Sequence, residues 1–355
     1  MTINDITRFR LYNQHLLGKK FEKPEEVVRH LLAVQDQEYV GGLWSIALRM
    51  DKPIQNEVEK AIESKKIIRT WPMRGTLHLV PSEDIYWLLE YLTPRIVKKY
   101  SSMFKKQGLT DEVFKKAAQL VKRALKGNNL LTREEIYEIW EKEGIPTKNS
   151  AGLNTLAVLS QQQLICHATR KGKQQTFALL EEWVPNKIML NKEEALARLA
   201  LKYFTSHGPA TIKDLVFWAG LQVKEAEEGL SYVKSKLEEI ELDGYTYYMA
   251  KGSKAGSIPS PLVYLLQPFD ELTISHRNYE ATIEESYIKK LRSLNYFNIL
   301  LIDGKVCGSW RKVTKKDDVE FEITGFRKFT GEEEKEIEEA KEEYRRFVVD
   351  ENDLV

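Results

Sequence analysis

Cysteine is almost missing from this chain, with two among 355 residues, Cys166 and Cys307. They lie far apart and have no partners at metal-ligand spacing, which fits a reduced, cytoplasmic setting. Long apolar runs are missing as well. None approaches the ~20 residues needed to span a bilayer, and the opening MTINDITRFRLYNQHLL lacks the basic-then-apolar layout of a secretory signal. No membrane partner is expected. There is no G-x-x-x-x-G-K-[ST] phosphate loop and no G-x-G-x-x-G following a strand, which removes several nucleotide-dependent enzyme classes. The six histidines, His15, His30, His78, His167, His207 and His276, are scattered. None falls in H-E-x-x-H or in the H-x-E and paired-cysteine pattern of a zinc deaminase. Neither a metal centre nor another cofactor is expected.

What is present is the composition of a multi-domain globular protein, 42% apolar and 30% charged. The net charge of +1 conceals an asymmetry. From Gly331 to Asp353 there are eleven acidic and four basic residues, a net of −7, which leaves +8 on the rest. A basic body with an acidic appendage is compatible with nucleic acid. The tail itself reads as a solvated amphipathic helix with Ile337, Tyr344 and Phe347 turned inward.

The chain repeats a grammar of helices followed by a hairpin. An opening helix over about Asp5–Leu17 precedes KPEEVVRHLLAVQ, where Pro24 suits a first-turn position and Glu25 and Glu26 suit the positive helix end. Further helices are expected near Leu43–Arg49 and Ile54–Ser64. IIRTWPMRGTLHLV then alternates like paired strands about a turn at Arg74-Gly75. The order returns with Asp111–Leu125, with LLTREEIYEIW capped by Thr132 and Glu135, with NSAGLNTLAVLSQQQ, and with a hairpin tipped by Lys171-Gly172-Lys173. It returns again from KEEALARLALKYFTSHG to the strand-like IELDGYTYYMA. Three helices and a hairpin make a winged helix.

The expected fold is therefore mainly α with β-hairpins (α+β), as tandem winged helices over 1–105, 106–185 and 186–255. KGSKAGSIPSP reads as a linker. Beyond it, LVYLLQPFDELTISHRNY and YFNILLIDGKVCGSWRKV read as strands of a β-rich, barrel-like domain over 256–355.

Winged helices place a helix in a DNA groove and a wing along the backbone. Lys148, Arg170, Lys171 and Lys173, with Arg69 and Arg74 on the first hairpin, are the candidate phosphate contacts. Each has a plainer reading as a solvated surface charge. Arg74 stands out because it sits beside a glycine at a hairpin tip. Trp71 is expected in the core. His78 reads as a packed or backbone-bonded histidine, with DNA contact as the alternative. The odd feature is LLAVQDQEYVGGLW, which puts Gln35 and Gln37 two residues apart where an apolar helix gives out. Their plain reading is capping or loop hydrogen bonding. In a helix such residues point about 200° apart. To face one water they need backbone that leaves the helix near Gln35, and Gly41-Gly42 just downstream is where the chain is expected to turn.

LLAVQDQEYVGGLWSIALR, RTWPMRGTLHLVP and LLIDGKVCGSWRK together resemble the winged-helix DNA glycosylases of the AlkZ/YcaQ type. The resemblance covers nearly the whole chain and is most specific between Leu31 and Pro81. It implies tandem winged helices forming a DNA channel. It also implies catalysis by a motif of Gln, a hydrophobic residue, then Gln or Asp, whose outer positions are Gln35 and Gln37 here. Asp36 departs from the middle position. It either faces solvent or acts as the base with the glutamines as orienters, and Glu38 is a weaker candidate expected to be exposed. His78 and Pro81 match a shared hairpin segment, and Asp270 and Glu271 match a shared segment to which no role is assigned.

The implied activity is excision of alkylated purines from double-stranded DNA, with interstrand crosslinks as a second substrate class. An amide is a poor general base, but a purine alkylated on its imidazole ring is already a cationic leaving group. Two amides need only hold a water and present negative dipole ends to the developing oxocarbenium ion. With no lysine in the motif, water is the expected nucleophile. The expected protein is a monomeric, monofunctional glycosylase of the bacterial cytoplasm or nucleoid. The alternative is a non-catalytic winged-helix protein, either a transcription regulator or a lesion binder.

Overall fold

A computed structural model describes residues 1–293, 298–315 and 318–348. The first helices are α1 (Ile3–Asn13) and α2 (Pro24–Leu31), followed by a two-residue strand β1 (Val34–Gln35). Next come α3 (Tyr39–Ala47), α4 (Gln55–Glu63) and the hairpin β2 (Ile67–Met73) and β3 (Thr76–Pro81). α5 (Ile85–Leu92) and α6 (Pro94–Lys106) lead to α7 (Asp111–Leu125), β4 (Leu131–Thr132), α8 (Arg133–Lys142) and α9 (Ala151–Gln161). The second hairpin is β5 (Ile165–His167) and β6 (Thr176–Leu179), after which comes α10 (Leu180–Trp183). A further helical trio, α11 (Lys192–Ser206), α12 (Ile212–Ala219) and α13 (Val223–Val233), precedes β7 (Leu237–Leu242) and β8 (Tyr245–Ala250). The remainder is β9 (Val263–Leu266), α14 (Glu271–Ile274), α15 (Glu285–Ser293), β10 (Asn298–Ile302), β11 (Lys305–Lys315), β12 (Asp318–Gly325) and α16 (Gly331–Val348). No helix among the described residues is long and apolar enough to cross a membrane.

These elements form two compact units, one of residues 1–59 with 196–355 and one of residues 60–195. In the second unit the antiparallel strands run in the order β3-β2-β5-β6-β4. β4 pairs with β6 just before α8 begins, as the small sheet of a winged helix requires. The capping box that starts α8 is present, with Glu135 N–H donating to Thr132 Oγ1 at 3.2 Å and Thr132 N–H donating to Glu135 Oε2 at 2.7 Å. Trp71 packs with Trp140, Ile136, Leu156 and Phe177 in this unit's core, as expected. At the first hairpin tip, Arg74 and Gly75 have φ of 54° and 83°. Both are left-handed, as a two-residue turn between twisted strands requires.

In the first unit an equivalent capping box starts α12, where Thr211 and Asp214 satisfy one another's backbone N–H groups. An isolated bridge joins Ala210 to Tyr248 of β8. The C-terminal sheet is antiparallel in the order β12-β11-β10-β9, and no closure into a barrel is seen among the described residues. α16 covers it with the expected inward face. Trp44 of α3 meets Tyr344 and Phe347 at ring-centroid distances of 5.0 and 4.8 Å. The acidic residues beyond position 348, and Tyr296 and Phe297 of the expected strand, lie outside the described residues.

Two expectations are corrected. The stretch 262–279 is strand only at β9. Pro268 follows it, and the Asp270 side chain accepts from Leu272 N–H at 2.9 Å to cap α14. A proline and a cap end a strand that apolar alternation alone would continue. Gly41 and Gly42 likewise form no turn. Both lie within α3, which begins at Tyr39 rather than near Leu43.

Candidate active site

The chain leaves the helix close to Gln35, as expected, but the turn is at Leu32, whose φ is 69°, and not at the glycine pair. A residue with a β-carbon takes such a positive φ when packing holds it there, and Leu32 is fully buried. The backbone then runs extended through β1, so Gln35 lies off the helix, as a shared face with Gln37 requires. β1 ends at Gln35, and Gln37 lies in the bend that precedes α3.

Burial separates the four polar residues. Gln35 is 6% exposed and Asp36 0%, whereas Gln37 and Glu38 are exposed. Asp36 therefore does not face solvent, which removes one of the two readings held for it. Its carboxylate lies against α3, where a β-carbon on Gly42 would sit 2.3 Å from Oδ1 and 2.7 Å from Cγ. A β-carbon on Gly41 would sit 3.2 Å from Gln267 Cβ. The glycine pair is thus a bare patch of helix wall that admits Asp36 and Gln267.

A buried carboxylate holds the other side of the segment. The Gln35 peptide N–H donates to Glu271 Oε1 at 2.9 Å, and the Trp218 indole N–H donates to Glu271 Oε2 at 2.9 Å. His207 Nε2 stands 3.5 Å from the same Oε2. Burial pushes the His207 pKa down, against the pull of Glu271. Beside it, Asp270 receives both arms of Arg49 at 2.9 Å and the Ser45 hydroxyl at 2.7 Å. Arg49 also donates to Gln14 Oε1 at 2.7 Å, and Gln267 Nε2 donates to Ser45 Oγ at 3.0 Å. Gln37 opens on a cavity of 420 Å³ that Glu38, Pro268, Phe269 and Asn298 also line. The segment 267–271 therefore serves the cavity wall, the Arg49 clamp and the Gln35 anchor at once. Among the described residues no group of three or more His, Cys, Asp or Glu side chains is arranged to hold a metal ion.

The basic candidates belong to the other unit and divide into two kinds. Arg69 is buried in β2, and its register partner on β5 is His167. His78 is fully buried. Its Nδ1–H donates to the Thr76 carbonyl at 2.9 Å, which leaves Nε2 to face Arg74 Nη2 at 3.4 Å. These two residues build the hairpin that carries Arg74. Lys148, Lys171 and Lys173 are exposed. Arg170 donates to the Lys173 carbonyl at 2.9 Å, shaping the second tip, and Lys171 Nζ lies 3.6 Å from Glu135 Oε1.

Sequence reasoning missed Arg49, Gln14, Ser45, Gln267, Trp218 and His207. One signal was available. GGLWSIALR is apolar except for Ser45 and Arg49, one helical turn apart, and a lone arginine on such a helix needs a buried anion.

Repeated helix trios with hairpins, some tipped with basic residues, define a protein of the winged-helix class. Residues 28–347 match the family described as DNA glycosylase AlkZ-like, and the chain belongs to that family. An interstrand DNA cross-link repair glycosylase of Streptomyces sahachiroi is 24% identical over 342 residues, covering 90% of each chain. The solved structure of Streptomyces sahachiroi DNA glycosylase AlkZ aligns with a TM-score of 0.77 at 21% identity, over 98% of this chain and 96% of that one. That likeness shows a shared fold. Membership of the family implies DNA binding and enzymatic action as a glycosylase.

Proposed function

We propose that this protein hydrolyses the N-glycosidic bond of alkylated purines in double-stranded DNA, using a water held by Gln35 and Gln37. The observation that carries this reading is the segment itself. It leaves α2 at Leu32, runs extended through Gln35, and brings Gln37 to a 420 Å³ cavity. In a purine alkylated on its imidazole ring, the N9–C1′ electron pair returns to a cationic base, which departs neutral. The water oxygen bonds to C1′ and its proton passes to solvent. No strong base is needed, so amides suffice to orient the water. The carboxylates of Asp36 and Glu271, beside an Asp270 that is paired with Arg49, favour positive charge developing on the sugar. Asp36, packed on Gly42, fixes the segment rather than serving as the base.

The three helix-and-hairpin modules over 1–105, 106–185 and 186–255 supply the DNA-binding surface. Arg74, Lys148, Arg170, Lys171 and Lys173 contact phosphate, and Arg69 and His78 support the first hairpin from within. Interstrand crosslinks, the substrate named for the Streptomyces relative, are included as a second substrate class.

The test is incubation with duplex DNA bearing 7-methylguanine, scoring the released base by mass. Gln35→Ala and Gln37→Ala are each expected to lose release while keeping DNA affinity. Retained release in the double substitution would sink the assignment. A protein that releases no base and prefers one intact sequence is a regulator, and one that binds damage without release is a lesion binder.

A further inference from the structure

In the reaction just described, the paired carboxylates of the segment PFDE contribute only negative charge. Asp270 is consumed by Arg49, but Glu271 is turned elsewhere. It is fully buried, which is costly for a carboxylate unless donors surround it. Two donors lie far off in sequence and on different elements: the peptide N–H of Gln35 in β1 and the indole N–H of Trp218 in α12. An apolar side chain could fill this space at less cost, but only an acceptor can hold the Gln35 N–H in one place. What it holds is the peptide from which the Gln35 side chain departs.

We infer that Glu271 is a positioning residue for the reaction, fixing the off-helix backbone of Gln35 so that its amide meets the attacking water. This rests on the site reading above. Asp36 against Gly42 and Glu271 on Gln35 N–H are two anchors, on adjacent residues. With both in place Gln35 has a set origin and direction, and with one gone the segment pivots about the other. Trp218 matters because it aims the carboxylate. It takes Oε2 and leaves Oε1 for Gln35.

The experiment is single-turnover release of 7-methylguanine from a duplex by the full chain, with DNA affinity measured separately. Glu271→Ala is expected to slow release about 100-fold, the scale of an ångström's misplacement, with little change in affinity. In Glu271→Gln one amide oxygen serves either Gln35 or Trp218 but not both, so release falls. Adding Trp218→Phe removes the competing donor, and E271Q/W218F is expected to recover most of the rate measured for W218F alone. A merely structural role would give no such recovery. Wild-type rate in E271A, or E271Q/W218F no faster than E271Q, overturns the inference. So does a loss of rate and affinity in parallel. If E271A does not fold, the E271Q series decides alone. Gln35→Ala and Gln37→Ala are run alongside. If they release base normally, the site reading has failed and this inference with it. If they are inactive while E271A is fully active, only this inference has failed.

Discussion

Arg49 and Asp270 face one another through two hydrogen bonds of 2.9 Å, with both side chains wholly removed from solvent. The pair ties the end of α3 to the start of α14, the two elements that flank the candidate site. Removing one partner strands a buried charge. Asp270→Ala is therefore expected to cost about 3–5 kcal/mol, read as a lowered urea midpoint. Arg49→Met with Asp270→Leu is expected to recover a large part of that loss. A single variant with an unchanged midpoint would show the pair to be dispensable.

Much of the frame was legible because its determinants are local. Thr132 and Glu135 are three residues apart and cap α8 as their spacing predicts. Arg74-Gly75 forms a turn because a two-residue hairpin loop needs left-handed backbone. The inward face of α16 follows from helical periodicity in Ile337, Tyr344 and Phe347. The site was legible only as a local oddity at Gln35 and Gln37. What holds it depends on contacts between residues such as Gln35 and Glu271, 236 positions apart, and no spacing rule reaches that far. Gly41 and Gly42 misled for the same reason. A glycine pair signals a turn locally, and only the distant approach of Gln267, with Asp36 folded back, reveals the need for bare helix.

That need gives a graded prediction. Gly42→Ala places a carbon 2.3 Å from Asp36 Oδ1, whereas Gly41→Ala meets Gln267 at 3.2 Å. Contacts under 3 Å force a shift, and overpacking of this kind costs about 1–3 kcal/mol. Gly42→Ala is expected to lower both the thermal midpoint and the single-turnover rate, and Gly41→Ala to have the smaller effect on each. Equal effects would mean that Asp36 is not held by the glycine.

Asp36→Asn separates packing from proton transfer. The substitution keeps shape and removes the basic group. With water held by amides and a cationic leaving group, release is expected to fall less than about tenfold, below the roughly 10²–10⁴-fold that a general base contributes. A larger loss at unchanged DNA affinity, with the acidic limb of the pH–rate profile abolished, would make Asp36 the base.

The hairpin cations are expected to differ by exposure. Each phosphate contact removed lowers the salt dependence of DNA affinity by about one in log–log slope. Lys171→Ala and Lys173→Ala, both at an exposed tip, are each expected to do so while leaving stability alone. Arg69→Ala is expected instead to lower stability, because the residue is buried in β2. Titrations at several salt concentrations, paired with melting curves, distinguish the two patterns.

Stability should fall on the acid side of neutrality for a reason visible at His30. Burial lowers its pKa from 6.5 to about 3, outweighing the Asn13 carbonyl, which accepts from Nε2–H at 2.6 Å. The unfolded chain takes up a proton near the ordinary value of about 6.5, while the folded protein does not until about 3. Between those values the unfolded state binds more protons, so stability rises with pH. The contribution is fully present above the unfolded value and is lost progressively as pH falls towards the folded one. His30→Gln keeps an N–H for the Asn13 carbonyl and removes the titration. Urea midpoints at pH 7.5 and pH 4.5 should therefore move apart less in the variant than in the wild type. An equal shift in both would mean that other groups carry the acid sensitivity and that His30 takes up its proton equally in both states.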